Sequence, residues 1–426
     1  MPVTDRKTPP FIKDAVQFNL ELKPCHHFQL RNGVDVYTIH AGAEEVMSLE
    51  WVFFAGNAYE EKNMVAASAN FLLRNGISRM NAFQINEHFD FYGAFLNRAC
   101  YTETATLSLH CLNKHIAALL PVVRELVTDS VMPQNELDIY RDNSKQRLKV
   151  NLQKSDFVAG RQIDAYLYGK DHPYGKYSTE EDLDALNREE LIKFYQQYYQ
   201  QGRFIIFAAG RLPANLEQLL NEQFGDLPVS SVPLRNPPVL PAAEKKYRIV
   251  NDEKAVQGSV RLARPFPGRH HPDFLKVMVL NTLLGGFFGS RLMKNIREEK
   301  GYTYGIHSYL QNHMHQTAWM ISTEAGRDVA EAAIEETFKE MKRLQLKAVP
   351  EKELLLVRNY LMGTLLGDLD GPFQIIGRWK NIILNNHDED YFNRYVDTVK
   401  TISAKELKLL AQQYLNEEEF YNLVVY

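Results

Sequence analysis

The chain is poor in several features that would have declared a function. It holds three cysteines in 426 residues, Cys25, Cys100 and Cys111. The number is odd and no C-x-x-C spacing occurs, so neither a disulfide framework nor a thiolate metal site is expected, and the thiols read as buried and free. No window reaches the ~18 uninterrupted apolar residues that a spanning helix needs, so no membrane is expected. Positive charge is not in excess: 49 basic against 53 acidic residues give a net charge of −4. That balance argues against nucleic acid or an anionic membrane as the main partner. There is no G-x-S-x-G elbow and no cysteine–histidine signature of a covalent hydrolase. The first residues lack a basic start followed by an apolar run, so no signal peptide is expected and a cytoplasmic location is.

What is present is an ordinary globular composition, 45% hydrophobic and 24% charged, spread over about twice the usual domain length. Two domains or a repeated unit is therefore the first expectation. Proline marks the seam. Pro228, Pro233, Pro237, Pro238 and Pro241 crowd one stretch that can be neither helix nor central strand. The resulting division is an N-terminal arm over 1–24, a first domain over 25–226, a linker over 227–244 and a second domain over 245–426. The two ends repeat: Leu191–Gly210 parallels Leu407–Tyr426, each with Gln-Gln-Tyr, a polar link and an apolar strand, which indicates duplication.

Periodicity fills in the elements. Arg31-Asn32-Gly33 between two alternating runs predicts a hairpin. Met47–Gly56 reads as strand and Val65–Arg74 as helix. Asn81–Tyr92 reads as an amphipathic helix with Phe83, Phe89 and Tyr92 on one stripe. Gly93–Leu109 alternates throughout and reads as one long strand. Asn113–Val131 and Gln134–Ser155 read as two helices, then Arg188–Tyr199 as helix and Arg203–Gly210 as buried strand. The second half offers strands within Lys246–Ala263 and Tyr302–Thr323. Its helices fall over Pro272–Leu284, Ser290–Lys300, Val329–Leu344, Glu351–Leu366 and Ser403–Leu415, before a last strand at Phe420–Tyr426. The fold class is α+β.

Three stretches carry a resemblance: Gly93-Ala94-Phe95-Leu96-Asn97, His172-Pro173-Tyr174-Gly175 with Thr179–Leu183, and Leu284-Gly285-Gly286 with Ser290-Arg291-Leu292. In this order the chain resembles the insulysin/pitrilysin (M16-type) zinc peptidase family. The resemblance implies two homologous domains, each a mainly antiparallel sheet covered by helices, facing each other across a cavity. In active members the helix matched by Val65–Gly76 carries H-x-x-E-H, and a later helix supplies a third, acidic ligand. Here those positions are Ala67, Asn70 and Phe71, with Arg147 at the third ligand and Tyr140 at a further acidic position. Alanine and phenylalanine cannot bind a metal, an amide is no general base, and a fixed positive charge repels Zn²⁺. This chain is expected to hold no metal and no catalytic residue.

Ile296–Ser308 (I-R-E-E-K-G-Y-T-Y-G-I-H-S) resembles the family's R-E-x-x-G-x-x-Y segment, which implies that Arg297 and Tyr304 hold the substrate backbone. Both are hydrogen-bond donors suited to a peptide carbonyl. On the residues alone, Arg297 could equally cap a helix end beside Glu298 and Glu299, and Tyr304 could be a strand-face aromatic. Asn97 matches the start of the strand that pairs with an extended peptide; an ordinary sheet strand fits it as well. The histidines, His26-His27, His110 and His115, His270-His271, and His313 with His315, read as surface or hydrogen-bonded groups. Gly285–Gly289 lacks the Gly-Lys-Ser/Thr of a phosphate loop. The implied function is a non-catalytic, substrate-binding subunit whose homologous partner bears H-x-x-E-H and the zinc, acting on extended peptides. The alternatives are a structural or peptide-binding protein like the core subunits of the respiratory bc1 complex, and a hydrolase using another site.

Overall fold

The computed structural model describes residues 14–234 and 237–426. The strands are β1 (His26–Gln29), β2 (Asp35–His40), β3 (Val46–Phe53), the two-residue ribbon β4 (Gly76–Ile77) and β5 (Met80–Asn81), β6 (Phe95–Cys100), β7 (Ala105–Leu112) and β8 (Phe204–Gly210). After the proline-rich segment come β9 (Lys246–Ile249), β10 (Gln257–Phe266), β11 (Thr303–Asn312), β12 (Thr317–Gly326) and β13 (Tyr421–Val425). Two sheets result, in the orders β1-β2-β8-β3-β7-β6 and β11-β12-β10-β13-β9. Reversed, the second reads β9-β13-β10-β12-β11, and it matches β2-β8-β3-β7-β6 strand for strand. The single parallel pair falls at the same place in both, β2 with β8 and β9 with β13. The duplication suggested by the two Gln-Gln-Tyr ends is thus a duplication of topology, with β1 added to the first copy.

The first-half helices are α1 (Val65–Leu72), α2 (Ala82–Phe91), α3 (Ile116–Thr128), α4 (Gln134–Asn151), α5 (Ser155–Tyr168), α6 (Glu180–Asp184), α7 (Arg188–Tyr195) and α8 (Leu216–Phe224). The second half adds α9 (Phe274–Asn281), α10 (Ala330–Leu346), α11 (Glu351–Gly367), α12 (Pro372–Leu384), α13 (Tyr391–Thr401) and α14 (Ala404–Tyr414). Most lie on one face of their own sheet, over cores built on Trp51, Phe53, Phe204 and Phe224 in the first half and on Trp319, Phe274 and Leu292 in the second.

Two helices cross over. Ala159, Ile163 and Leu167 of α5 pack on Ala263, Met320, Leu423 and Val425 of the second sheet. Ile375, Ile376 and Trp379 of α12 join Ile39, Val52 and Phe207 of the first sheet. Lys380 pairs with Glu50 on β3 at 2.7 Å, and the Trp379 indole donates to the Lys23 carbonyl at 2.8 Å. Each half therefore covers the open face of the other's sheet, and burial of each large apolar side chain in these seams contributes roughly 1.5–3 kcal/mol.

Other expectations change as well. The Gly93–Leu109 run is a hairpin: residues 101–104 turn the chain between β6 and β7. Gly56 lies against that turn, where a Cβ would come within 2.4 Å of the Thr102 carbonyl oxygen. The expected helix over Gln134–Ser155 ends at Asn151, and α5 begins four residues later. On α2 the buried residues are Ile85 and Phe89, whereas Phe83 is exposed. The helices α5, α8, α12 and α13 were not anticipated. Residues 1–13 of the expected arm lie outside the described residues; its remainder packs, with Leu20 buried. Among the described residues no helix is long and apolar enough to cross a membrane.

Candidate functional site

The stretch with the family's metal frame becomes α1, and its side chains are committed to packing. Ala67 is half-buried and Asn70 fully so. The Asn70 amide donates to the Thr106 carbonyl at 3.4 Å and to the Tyr199 hydroxyl at 3.2 Å. The Phe71 ring lies 4.7 Å from that of Tyr140 on α4, and the Arg98 guanidinium caps it at 4.3 Å. Burial, more than any neighbouring charge, raises the Tyr140 phenol above its usual range. Arg147, nearly two turns further along α4, is exposed. With Ala67, Asn70, Phe71 and Arg147 as the available groups, the site does not fit a zinc ion. Among the described residues no group of three or more His, Cys, Asp or Glu is placed to hold a metal.

The start of α1 is set by two residues that sequence reasoning missed. Glu60 accepts from the amides of Met64 at 3.3 Å and Ala66 at 2.8 Å, replacing the absent side-chain cap. Met64 takes a left-handed φ of 70° to enter the helix. Lys176, directly after the His-Pro-Tyr-Gly motif, pairs with Glu60 at 2.8 Å and donates to the Asn57 carbonyl at 3.0 Å. Burial raises the Glu60 carboxyl and outweighs the Lys176 charge that opposes it.

In the second half the structure brings Arg297 and Tyr304 together. Arg297 lies in a wide, π-type helical segment, Met293–Glu299, and Tyr304 in a bulge of β11 between Thr303 and Ile306. Both irregularities re-aim side chains and recur at functional sites. The Arg297 Nε donates to the Tyr304 carbonyl at 3.0 Å, and its guanidinium lies 4.6 Å above the Phe288 ring. Arg297 thus holds a main-chain carbonyl seven residues on rather than its acidic neighbours. The Tyr304 side chain projects outward with 92% of its surface exposed. Beside the pair is a cleft of about 600 Å³, lined only by second-half residues such as Gln257, Tyr302 and Glu324. Asn97 is exposed on β6, the edge strand of the first sheet.

The histidines divide. His27 pairs with Asp35 at 2.9 Å, and His270 bonds the Asn385 carbonyl at 2.9 Å. His313 is different: it lies in the β11–β12 turn, stacked on Tyr174 at 3.9 Å, and burial lowers its pKa. All three cysteines are free thiols; Cys111 is buried, Cys25 and Cys100 half-buried, and burial pushes Cys100 up to about 12.

Comparison with known proteins places this geometry. Residues 185–361 match the family described as Peptidase M16 inactive domain, a span that takes in Arg297 and Tyr304 and leaves α1 outside. The chain is 24% identical over 366 residues to the uncharacterized zinc protease YmxG of Bacillus subtilis, covering 84% of this chain and 87% of that one. It is 24% identical over 373 residues to the mitochondrial-processing peptidase subunit beta of Rattus norvegicus, covering 82% and 74%. Among solved structures, a peptidase M16 inactive domain from Pseudomonas fluorescens superposes with a TM-score of 0.86 at 20% identity over 94% of this chain and 98% of that one. A chain of complex III2 from Candida albicans superposes with a TM-score of 0.72 at 14% identity over 94% of each. By a family match over residues 185–361, by relatives along most of its length and by fold, the chain is similar to members of the M16 peptidase family.

Proposed function

We propose that this protein is the non-catalytic, substrate-binding subunit of a heteromeric M16 zinc metallopeptidase acting on peptides. One observation carries the reading: Arg297 and Tyr304 are paired at an open cleft, while Ala67, Asn70, Phe71 and Arg147 are residue types that supply no zinc ligand. The two terminal nitrogens of Arg297 have no protein acceptor among the described residues, and the Tyr304 phenol faces solvent. Both can donate to a peptide carbonyl. In this reading Arg297 and Tyr304 grip the substrate backbone, Asn97 and the free edge of β6 support it as an added strand, and a homologous partner bearing H-x-x-E-H supplies the zinc and the chemistry. The location that goes with it is the cytoplasm.

The test is peptidase activity of the partnered complex carrying Arg297→Ala or Tyr304→Phe in this chain. A loss of about 10²-fold or more is expected, the scale for removing one donor to a developing oxyanion. Unchanged activity in a normally assembled complex sinks the reading. The likeness to a complex III2 chain supports a second one, a structural or peptide-binding pseudopeptidase with no part in hydrolysis. Under it the same substitutions leave every associated activity intact.

A further inference from the structure

Arg98 is a poorly satisfied charge in the first half. It points from β6 to the helix-covered side of the sheet, with its guanidinium over the outer face of Phe71 at 4.3 Å. Tyr140 backs that ring at 4.7 Å, so the aromatic platform is fixed. The one hydrogen bond made by Arg98 is a long contact of 3.5 Å from Nη2 to the Asn75 side-chain oxygen, and its Nε is buried without an acceptor. No carboxylate pairs with it among the described residues; the nearest acid in the network, Glu136, is taken up by Asn75 at 2.7 Å. One further arginine stands close. Arg74 at the end of α1 donates to the Leu96 carbonyl on β6, and its charge opposes that of Arg98. Arg147 lies further along α4, the helix that carries Tyr140.

A guanidinium stripped of water, stacked on an aromatic ring and left with an unpaired N–H is a receptor for a planar anion. Burial pulls Arg98 down to about 10, with repulsion from Arg74 as the next contribution, and an arriving negative charge would relieve both. The position selects the source of that anion. β6 is an edge strand, and side chains of a peptide added along it alternate between the two sheet faces. Every second one falls on the face where Arg98 lies.

We propose that Arg98, seated on Phe71 and flanked by Arg74, binds a carboxylate of the extended peptide and so selects acidic substrates. The inference rests on the peptide-binding reading above and gives that reading a substrate class.

The test uses the full chain and three labelled, unstructured ten-residue peptides, with binding followed by fluorescence anisotropy. The first carries one central Glu and an amidated C-terminus, the second Gln in its place, and the third Gln with a free C-terminus. The expected result is roughly ten- to a hundredfold tighter binding of the Glu peptide than of the amidated Gln peptide, the range for a charge-assisted hydrogen bond to a desolvated group. Arg98→Gln should erase that preference. Should Arg98→Gln fail to fold, Arg98→Lys, which keeps the charge but not the planar fork, should narrow the preference severalfold. Tight binding of the third peptide alone supports the proposal with the terminal carboxylate as its source. Equal binding of all three overturns the inference and leaves peptide binding standing, whereas binding of none overturns both.

Discussion

The main-chain amide of Met314 donates to the carboxylate of Glu103 at 3.0 Å, joining the tips of two hairpins 211 residues apart. One hairpin is β6–β7 and the other β11–β12, so equivalent elements of the two sheets meet end to end. Glu103 is buried, and removing its side chain strands the Met314 N–H. We expect Glu103→Ala to cost about 1–3 kcal/mol in urea denaturation, and Glu103→Gln, which keeps an acceptor, distinctly less. Equal effects of the two would show that the hydrogen bond is not what holds the joint.

Next to this joint, Asp164 on α5 has one carboxylate oxygen buried without a partner, and burial lifts its pKa to about 7 from 3.8. The folded state then holds a proton that the unfolded chain has released between about pH 4 and pH 7, so this group's contribution to stability falls as pH rises through that window. Asp164→Asn should stabilise the protein at pH 8 and change little at pH 4. His172 and His313 work in the opposite direction, since burial lowers both and their contribution is lost as pH falls below about 6.5. The difference between wild type and Asp164→Asn across pH isolates the aspartate.

Lys176 is the partner that lets Glu60 stay charged at the start of α1. Lys176→Met leaves an uncompensated buried carboxylate and should destabilise by about 3–5 kcal/mol. Hydrogen exchange adds a local readout: the Met64 and Ala66 amides, which donate to Glu60, should lose protection ahead of the sheet.

The exchanged helices predict that neither half folds by itself. A fragment over 14–226 lacks α12, and one over 245–426 lacks α5, so each bares an apolar sheet face. Expressed separately the fragments should aggregate; co-expressed, they should recover as a soluble 1:1 complex with the circular dichroism of the intact chain. A monomeric, cooperatively folded single fragment would contradict the packing.

Much of this architecture can be read from residues alone, for physical reasons. Asn32-Gly33 fixes the first hairpin because Gly33 must take a φ of 81°. Strands such as Phe204–Gly210 announce themselves because they are buried on both faces. That Ala67, Asn70, Phe71 and Arg147 offer no zinc ligand needs no coordinates. What escapes is whatever serves a distant partner. α5 and α12 carry Gly160 and Gly377 and bury their stripes against the other half, so no local pattern shows what they cover. The turn at 101–104 hides in an alternating run because Glu103 is directed at Met314 rather than at its own strand. Arg98 passes for an outward residue of a strand, and only packing reveals the Phe71–Tyr140 platform beneath it.

The crossover of α5 and α12 also bears on how such a subunit could move. A hinge at the proline-rich segment would have to draw Ile163 and Leu167 off one sheet and Ile376 and Trp379 off the other at the same moment. The chain is clasped twice, in opposite senses, and must travel as a single block. Under the function proposed above, admission and release of a peptide would fall to rocking between whole subunits, with this one as a rigid jaw.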